Sequence, residues 1–316
     1  MIAAARAHVR AWWSARHPRT DRWTLTQATI YILPTPAGWL FALTLFVMLL
    51  ASINYQLNLG YVLTFLLAGV GGAAMHLTHA TLRGLTLHLR APQPAFAGEA
   101  ATVEVVLDSP ARVRHGVALR FDGERGHEVH VDVPAGGQAV ARLGYVPPRR
   151  GLHALPTVIG ETRFPLGLFR AWTVWRTASS LLAYPAPERP AAPLPAGHAV
   201  AGDTARRTSS EGGELDGVRS YRRGDGLKRV VWKKVAKTGE LVSRETSASV
   251  ARELWLDWQA TQTSGTEARL SRLAAWVLLA DRAGLAHGLR LPGVEYPPDL
   301  GDAHRRRSLE ALALWA

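Results

Sequence analysis

The chain has 316 residues, 47% of them hydrophobic and 20% charged, with no cysteine and a formal net charge of +12. The composition excludes a wholly disordered chain, and the missing cysteine excludes disulfides, thiolate metal sites and cysteine nucleophiles. Basicity permits nucleic-acid or anionic-lipid partners but requires neither, because Arg greatly outnumbers Lys and such a bias can follow genome composition.

Residues 1–30 read as a basic segment carrying Arg6, Arg10, Arg16, Arg19 and Arg22. From Trp23 to Leu82 no Asp, Glu, Lys or Arg occurs. Two stretches inside this run, Ala37 to Ile53 and Leu59 to Leu77, are each long enough to cross hydrocarbon about 30 Å thick. Trp39, Tyr55 and Tyr61 lie near their ends, where amphipathic rings favour the interface. The connecting "NYQLN" reads as a tight turn, so residues 31–80 form a transmembrane helical hairpin. A cleaved signal peptide is disfavoured because the apolar run starts late and no small-x-small cleavage pattern follows. Arg precedes the hairpin, Arg83 and Arg90 follow it and the turn is uncharged, so both termini are expected in the cytoplasm.

From 81 to 185 the pattern becomes short alternating runs broken by Gly and Pro: "LTLHLRAP", "ATVEVVLDS", "GVALRFDG", "HEVHVDVPAG", "QAVARLGYVP" and "HALPTVIGETRFP". That spacing predicts an antiparallel β-sandwich. Residues 186–212 are rich in Pro, Ala and Gly and read as a linker. In "DGLKRVVWKKVAKTG" Asp225 is an N-cap candidate and Gly239 a C′ candidate, with Leu227, Val230, Val231 and Val235 on one helical face. "ELVSRE" and "RELWLDW" read as strands, "EARLSRLAAWVLLADRAG" as a helix, "HGLRLPG" as a strand and "GDAHRRRSLEALALWA" as a last amphipathic helix. This alternation predicts a small α/β unit with parallel pairing over 213–316, about half a doubly wound domain.

The stretch "GELDGVRSYRRGDGLKRVVWKKVAKTGELVSRE" resembles the signature of the bacterial domain of unknown function 58 family. Asp216, Arg219, Tyr221, Arg222, Gly224, Asp225, Trp232, Lys233, Ala236, Gly239, Arg244 and Glu245 match it, while Lys237 stands where Arg is usual. "FPLGLFRAW" (164–172) resembles the family's Pro-x-Gly-Leu-Phe mark. The resemblance covers nearly the whole chain. It implies a bacterial inner-membrane protein with a von Willebrand factor A-like C-terminal domain, here truncated, that works beside a MoxR-type AAA+ ATPase.

A von Willebrand A domain often holds Mg²⁺ with Asp-x-Ser-x-Ser, whose hard oxygens suit a hard cation. Here the corresponding run is Asp257-Trp258-Gln259-Ala260-Thr261, with Gln in a hydroxyl position. Asp257 and Thr261 are therefore weak metal candidates, and no cofactor is expected. His76 and His79 read as interfacial, and His127 to His130 lacks zincin spacing. No phosphate loop, nucleophile elbow or paired catalytic carboxylates appear, which argues against an enzyme. The basic residues Arg223, Lys228, Arg229, Lys233 and Lys234 form a candidate partner-binding rim. Apolar residues at helical spacing and a Gly-Asp turn disfavour nucleic acid there, and a protein partner is the leading expectation. Anionic lipid or nucleic acid is the alternative. The sequence thus reads as a non-catalytic, membrane-anchored scaffold or adaptor.

Overall fold

The computed structural model describes residues 18–124, 126–195, 198–199, 218–220, 242–244 and 252–315. Residues through Ala186, grouped with those from Glu310 on, form one compact unit, and Pro187–Leu309 form another.

The first unit opens with two short strands, β1 (Arg22–Thr24) and β2 (Tyr31–Pro34), that precede two long helices, α1 (Pro36–Asn54) and α2 (Asn58–Leu82). Both helices are long and apolar enough to cross a membrane. Exposed Leu40, Leu43, Phe46, Val47, Leu59, Val62, Phe65 and Leu66 cover their surfaces. Their uncharged composition accounts for this, since a helix apolar all round suits lipid or a large core. Thr35 caps α1 by accepting from the Gly38 N–H at 3.1 Å, with Pro36 at the first helical position. The turn closes with Gln56 in the left-handed region and a bond from the Leu57 N–H to the Ser52 carbonyl at 3.1 Å. Small residues let the helices approach: a Cβ at Gly71 would lie 3.1 Å from the Phe41 ring. The hydroxyls of Thr44, Ser52, Thr64, Thr78 and Thr81 each donate to the carbonyl four residues back, so none is left bare on an apolar rod.

The strands that follow are β3 (Thr86–Leu89), β4 (Ala95–Phe96), β5 (Ala101–Ser109), β6 (Arg114–Phe121), β7 (Val129–Val133), β8 (Gly137–Tyr145), β9 (Gly151–Ala154), β10 (Val158–Thr162), β11 (Phe169–Trp175) and β12 (Ser180–Tyr184). They make an antiparallel sheet β1-β3-β5-β8, a second antiparallel sheet β2-β11-β10-β6-β7 and a small sheet β4-β12-β9. One buried cluster joins the first two sheets, with Leu87, Val103, Val105, Leu107 and Leu143 from one and Val117, Leu119, Phe121, Val158 and Trp175 from the other. Period-2 alternation in β5, where Val103, Val105 and Leu107 point inward, makes this face.

Each of the two large sheets takes a strand from before the hairpin, a segment that the sequence reading places outside the sandwich. That segment is tied in by side chains as well. Asp21 accepts from the N–H groups of Ala178 and Ser179, both at 2.9 Å, and from the Ser179 hydroxyl at 2.7 Å. Trp175 Nε1 donates to the Thr20 carbonyl at 2.8 Å, and the Thr173 hydroxyl to the Thr29 carbonyl at 2.9 Å.

In the second unit β13 (His198–Ala199), β16 (Arg252–Asp257), β17 (His287–Leu291) and β18 (Val294–Asp299) form one sheet, and β14 (Val218–Ser220) pairs with β15 (Val242–Arg244). The expected parallel pair is β16 with β17. Strand β18, antiparallel on the edge, was not expected; Pro297 and Pro298 within it cannot donate ladder bonds, which confines it to an edge. Helix α3 (Thr266–Arg282) buries Leu270, Leu273, Ala274, Val277 and Ala280, and the last helix, α4 (Asp302–Leu314), belongs to this unit through Leu309. The start of the stretch read as a linker is strapped to α3. Arg272 grips Glu188 through two bonds of 2.8 Å, and Trp276 Nε1 donates to the Ala192 carbonyl at 3.2 Å.

Candidate functional site

Of the signature residues, Arg219 and Arg244 fall on described backbone. The antiparallel β14–β15 pair puts Arg219 opposite Ser243 and Val218 opposite Arg244, so the two ends of the signature meet as a strand pair. Asp216, Tyr221, Arg222, Gly224, Asp225, Trp232, Lys233, Gly239 and Glu245 lie outside the described residues. So do the rim residues Arg223, Lys228, Arg229 and Lys234.

Asp257 ends β16 and uses both carboxylate oxygens. One accepts from the Gln259 N–H at 2.8 Å, closing a turn, and the other faces Arg290 at 3.4 Å. Arg290 also pairs with Glu295 at 2.6 Å and stacks 4.6 Å from the Trp255 ring centroid. Thr261 is fully buried, and its hydroxyl donates to the Trp258 carbonyl at 2.8 Å. A guanidinium beside the carboxylate opposes a cation by charge. This corner is a strand-end cap with an Arg counter-ion, and no group of three His, Asp or Glu side chains suited to a metal exists among the described residues.

Specific polar contacts join the hairpin to the sandwich. The loop 163–168, which carries the Pro-x-Gly-Leu-Phe mark up to Leu168, grips the start of α1. The Thr35 N–H donates to the Leu168 carbonyl at 2.9 Å and its hydroxyl to the Gly167 carbonyl at 2.6 Å. Gly167 has φ +71°, a conformation glycine takes at no steric cost, and its N–H closes the loop on the Arg163 carbonyl at 2.9 Å. Gly38 packs so closely on the Leu168 carbonyl that a Cβ there would overlap it.

At the other end of the hairpin Arg114 caps α2. Its guanidinium, 6% exposed as a residue, donates to the carbonyls of Ala80 and Arg83, the latter at 3.0 Å, and to the Ser109 hydroxyl at 3.0 Å. A cation at orphan C-terminal carbonyls complements the helix dipole. Burial, and then Arg112 nearby, lowers its pKa from the ordinary guanidinium value.

The buried carboxylate of this region is Glu161, 7% exposed, paired with Arg170 and with Arg163 at 3.4 Å. Arg170 lies 5.2 Å from the Trp172 ring centroid, and Trp172 packs on Tyr31 at 5.6 Å. A groove of about 530 Å³ opens beside it, lined by Ala118, Glu128, His130, Glu161, Phe164 and Pro165 among others. The Pro-x-Gly-Leu-Phe mark is legible in the sequence, but its counterparts Thr35 and Gly38, and the cap Arg114 at the other end of the hairpin, are not. "TP" at the start of an apolar run was the available signal for the first. Nothing local marks Arg114 as a cap of a helix that ends in another element.

No protein-family model matches the chain, and no curated protein matches its sequence.

Proposed function

We propose that this chain is a non-catalytic, membrane-anchored scaffold or adaptor of the domain of unknown function 58 kind. In this reading α1 and α2 span a bacterial inner membrane, both termini and both units face the cytoplasm, and the second unit is von Willebrand A-like. The observation that carries it is the joint between hairpin and sandwich. Both ends of the hairpin are built into the sandwich, α1 through Thr35 on loop 163–168 and α2 through the Arg114 cap. An anchor joined in this way holds its soluble unit at a set height and angle, which suits a platform that presents a surface to a partner.

The partner proposed is a MoxR-type AAA+ ATPase, on the strength of the signature from Asp216 to Glu245, and protein assembly or maturation is the process it would serve. Full-length protein solubilised in mild detergent should co-purify such an ATPase, identified by mass spectrometry. Charge reversal at Lys233 or Lys234 should weaken that capture without lowering thermal stability. Retention of every partner by both reversals overturns the role given to the basic rim. Binding to DNA or anionic vesicles that falls steeply and linearly with log salt would favour phosphate recognition instead.

A further inference from the structure

Loop 163–168 exposes the wrong residues for an ordinary loop tip. Tips in water are built from Gly, Asn, Asp, Ser and Pro because polar groups there stay solvated. Here Phe164 is 41% exposed and Leu166 54%, and on the segment around Thr35 that holds the loop Leu33 is 58% exposed and Trp39 67%. The turn at the opposite end of β10 and β6 follows the rule, with Asp122, Gly123 and Glu124 all exposed. The two ends of the same strand pair therefore carry opposite surfaces.

The position of the loop gives the difference a meaning. Thr35 and Gly38 hold it by its backbone against the first turn of α1, at the level where the apolar rod begins. Helix α2 has 25 residues against 19 in α1, and its last residue, Leu82, belongs to the sandwich core. Six extra residues rise about 9 Å, so α2 runs on into the sandwich past the level at which α1 starts. Loop 163–168 thus lies at the end of the sandwich where α1 begins, and the segment that grips it carries the exposed Leu33 and Trp39. Arg163 stands at its edge with its side chain 63% exposed.

We propose that this loop is a second, non-spanning membrane contact. Phe164 and Leu166 insert into the headgroup–acyl boundary beside α1, and Arg163 extends its guanidinium to lipid phosphates. The occupant is the bilayer that holds the hairpin, so the inference rests on α1 and α2 spanning a membrane. The physics is that of an interfacial anchor: apolar side chains leave water while a long cationic side chain keeps its charge at the headgroups. The loop's effect is orientational. With the hairpin as one attachment and the loop as another, the sandwich has a fixed face toward the lipid and cannot swivel about the helices.

The natural absence of cysteine makes the test clean. Single substitutions Leu166→Cys, Phe164→Cys, Glu124→Cys and Val47→Cys in the full chain are labelled with an environment-sensitive fluorophore. Each is reconstituted into phosphatidylethanolamine–phosphatidylglycerol vesicles containing lipid spin-labelled at shallow or deep acyl positions. Labels at 166 and 164 should be quenched several-fold more by shallow than by deep spin labels, and be shielded from aqueous iodide. The label at 124 should be quenched by neither spin label and be fully open to iodide. Quenching at 47 with 166 and 164 behaving like 124 overturns the inference while leaving the anchor intact. Shielding from iodide at 166 and 164 without lipid quenching also overturns it, in favour of a protein contact. Absence of lipid quenching at 47 overturns the membrane-spanning reading itself and this inference with it.

Discussion

Arg114 and His287 are both basic side chains removed from water, one in each unit, and they end in opposite circumstances. Arg114 finds three oxygen acceptors, the Ser109 hydroxyl and the carbonyls of Ala80 and Arg83, and so keeps its charge and caps a helix. His287, 2% exposed, places Nδ1 3.2 Å from the Leu285 carbonyl, while its Nε2 has no hydrogen-bond partner among the described residues. Its ring packs 4.8 Å from that of His304, whose Nε2 lies 2.7 Å from the His287 carbonyl. The Ser308 hydroxyl on the same helix as His304 is likewise buried without a partner among the described residues. A buried polar group with its bonds complete locks a structure, whereas an incomplete one leaves a site that proton uptake can disturb.

The largest expected effect tests the complete site. Arg114→Met removes the charged donor and leaves two helix-end carbonyls buried, which should cost on the order of 3 kcal/mol. The measurement is thermal unfolding of the full chain in detergent, and an unchanged melt would mean water replaces the guanidinium freely.

Gly38→Val comes next. Its Cβ would meet the Leu168 backbone carbonyl, which cannot swing aside as a side chain can, so a loss of about 1–3 kcal/mol is expected. Faster proteolysis at loop 163–168 should accompany it.

Thr35→Ala should cost about 1 kcal/mol, the usual value of an N-cap, and Thr35→Ser should restore most of it because the hydroxyl is what serves Gly38 and Gly167. A Ser variant as weak as Ala would place the stabilising contact in the methyl group instead.

The smallest effect sharpens the contrast between the units by pH. Burial lowers the pKa of His287 below its ordinary 6.5, with His304 adding to the shift. The unfolded chain then binds the proton that the fold resists, so the α/β unit should lose stability as pH falls below about 6.5. At Asp21 of the sandwich burial acts upward, but hydrogen bonds from Ser179 and Ala178 outweigh it and hold the pKa below the ordinary 3.8. Its contribution is present above that value and is lost only as pH falls through the lowered one. Acid titration followed by hydrogen exchange should therefore open the α/β unit before the sandwich. His287→Gln should flatten the first step, and simultaneous opening of both units would refute the assignment.

Sequence alone determined those features that rest on local physics. A long uncharged apolar run with one polar break makes α1 and α2 legible as two helices long and apolar enough to cross a membrane. Alternation in "ATVEVVLDS" gave β5 its limits at Ala101 and Ser109, since one face had to be apolar. Helix α3 was legible for the same reason, from apolar residues at helical spacing between Thr266 and Arg282. What only the tertiary structure decided is where distant pieces meet. Strands β1 and β2 are too short to show a period, and they exist because β3 and β11, far along the chain, offer open edges. Nothing around Arg114 announces that it caps a helix ending at Leu82, and nothing around Thr35 announces Gly167 and Leu168. Such contacts depend on closing long loops of chain, and their stabilisation appears only once the sandwich has brought the partners together.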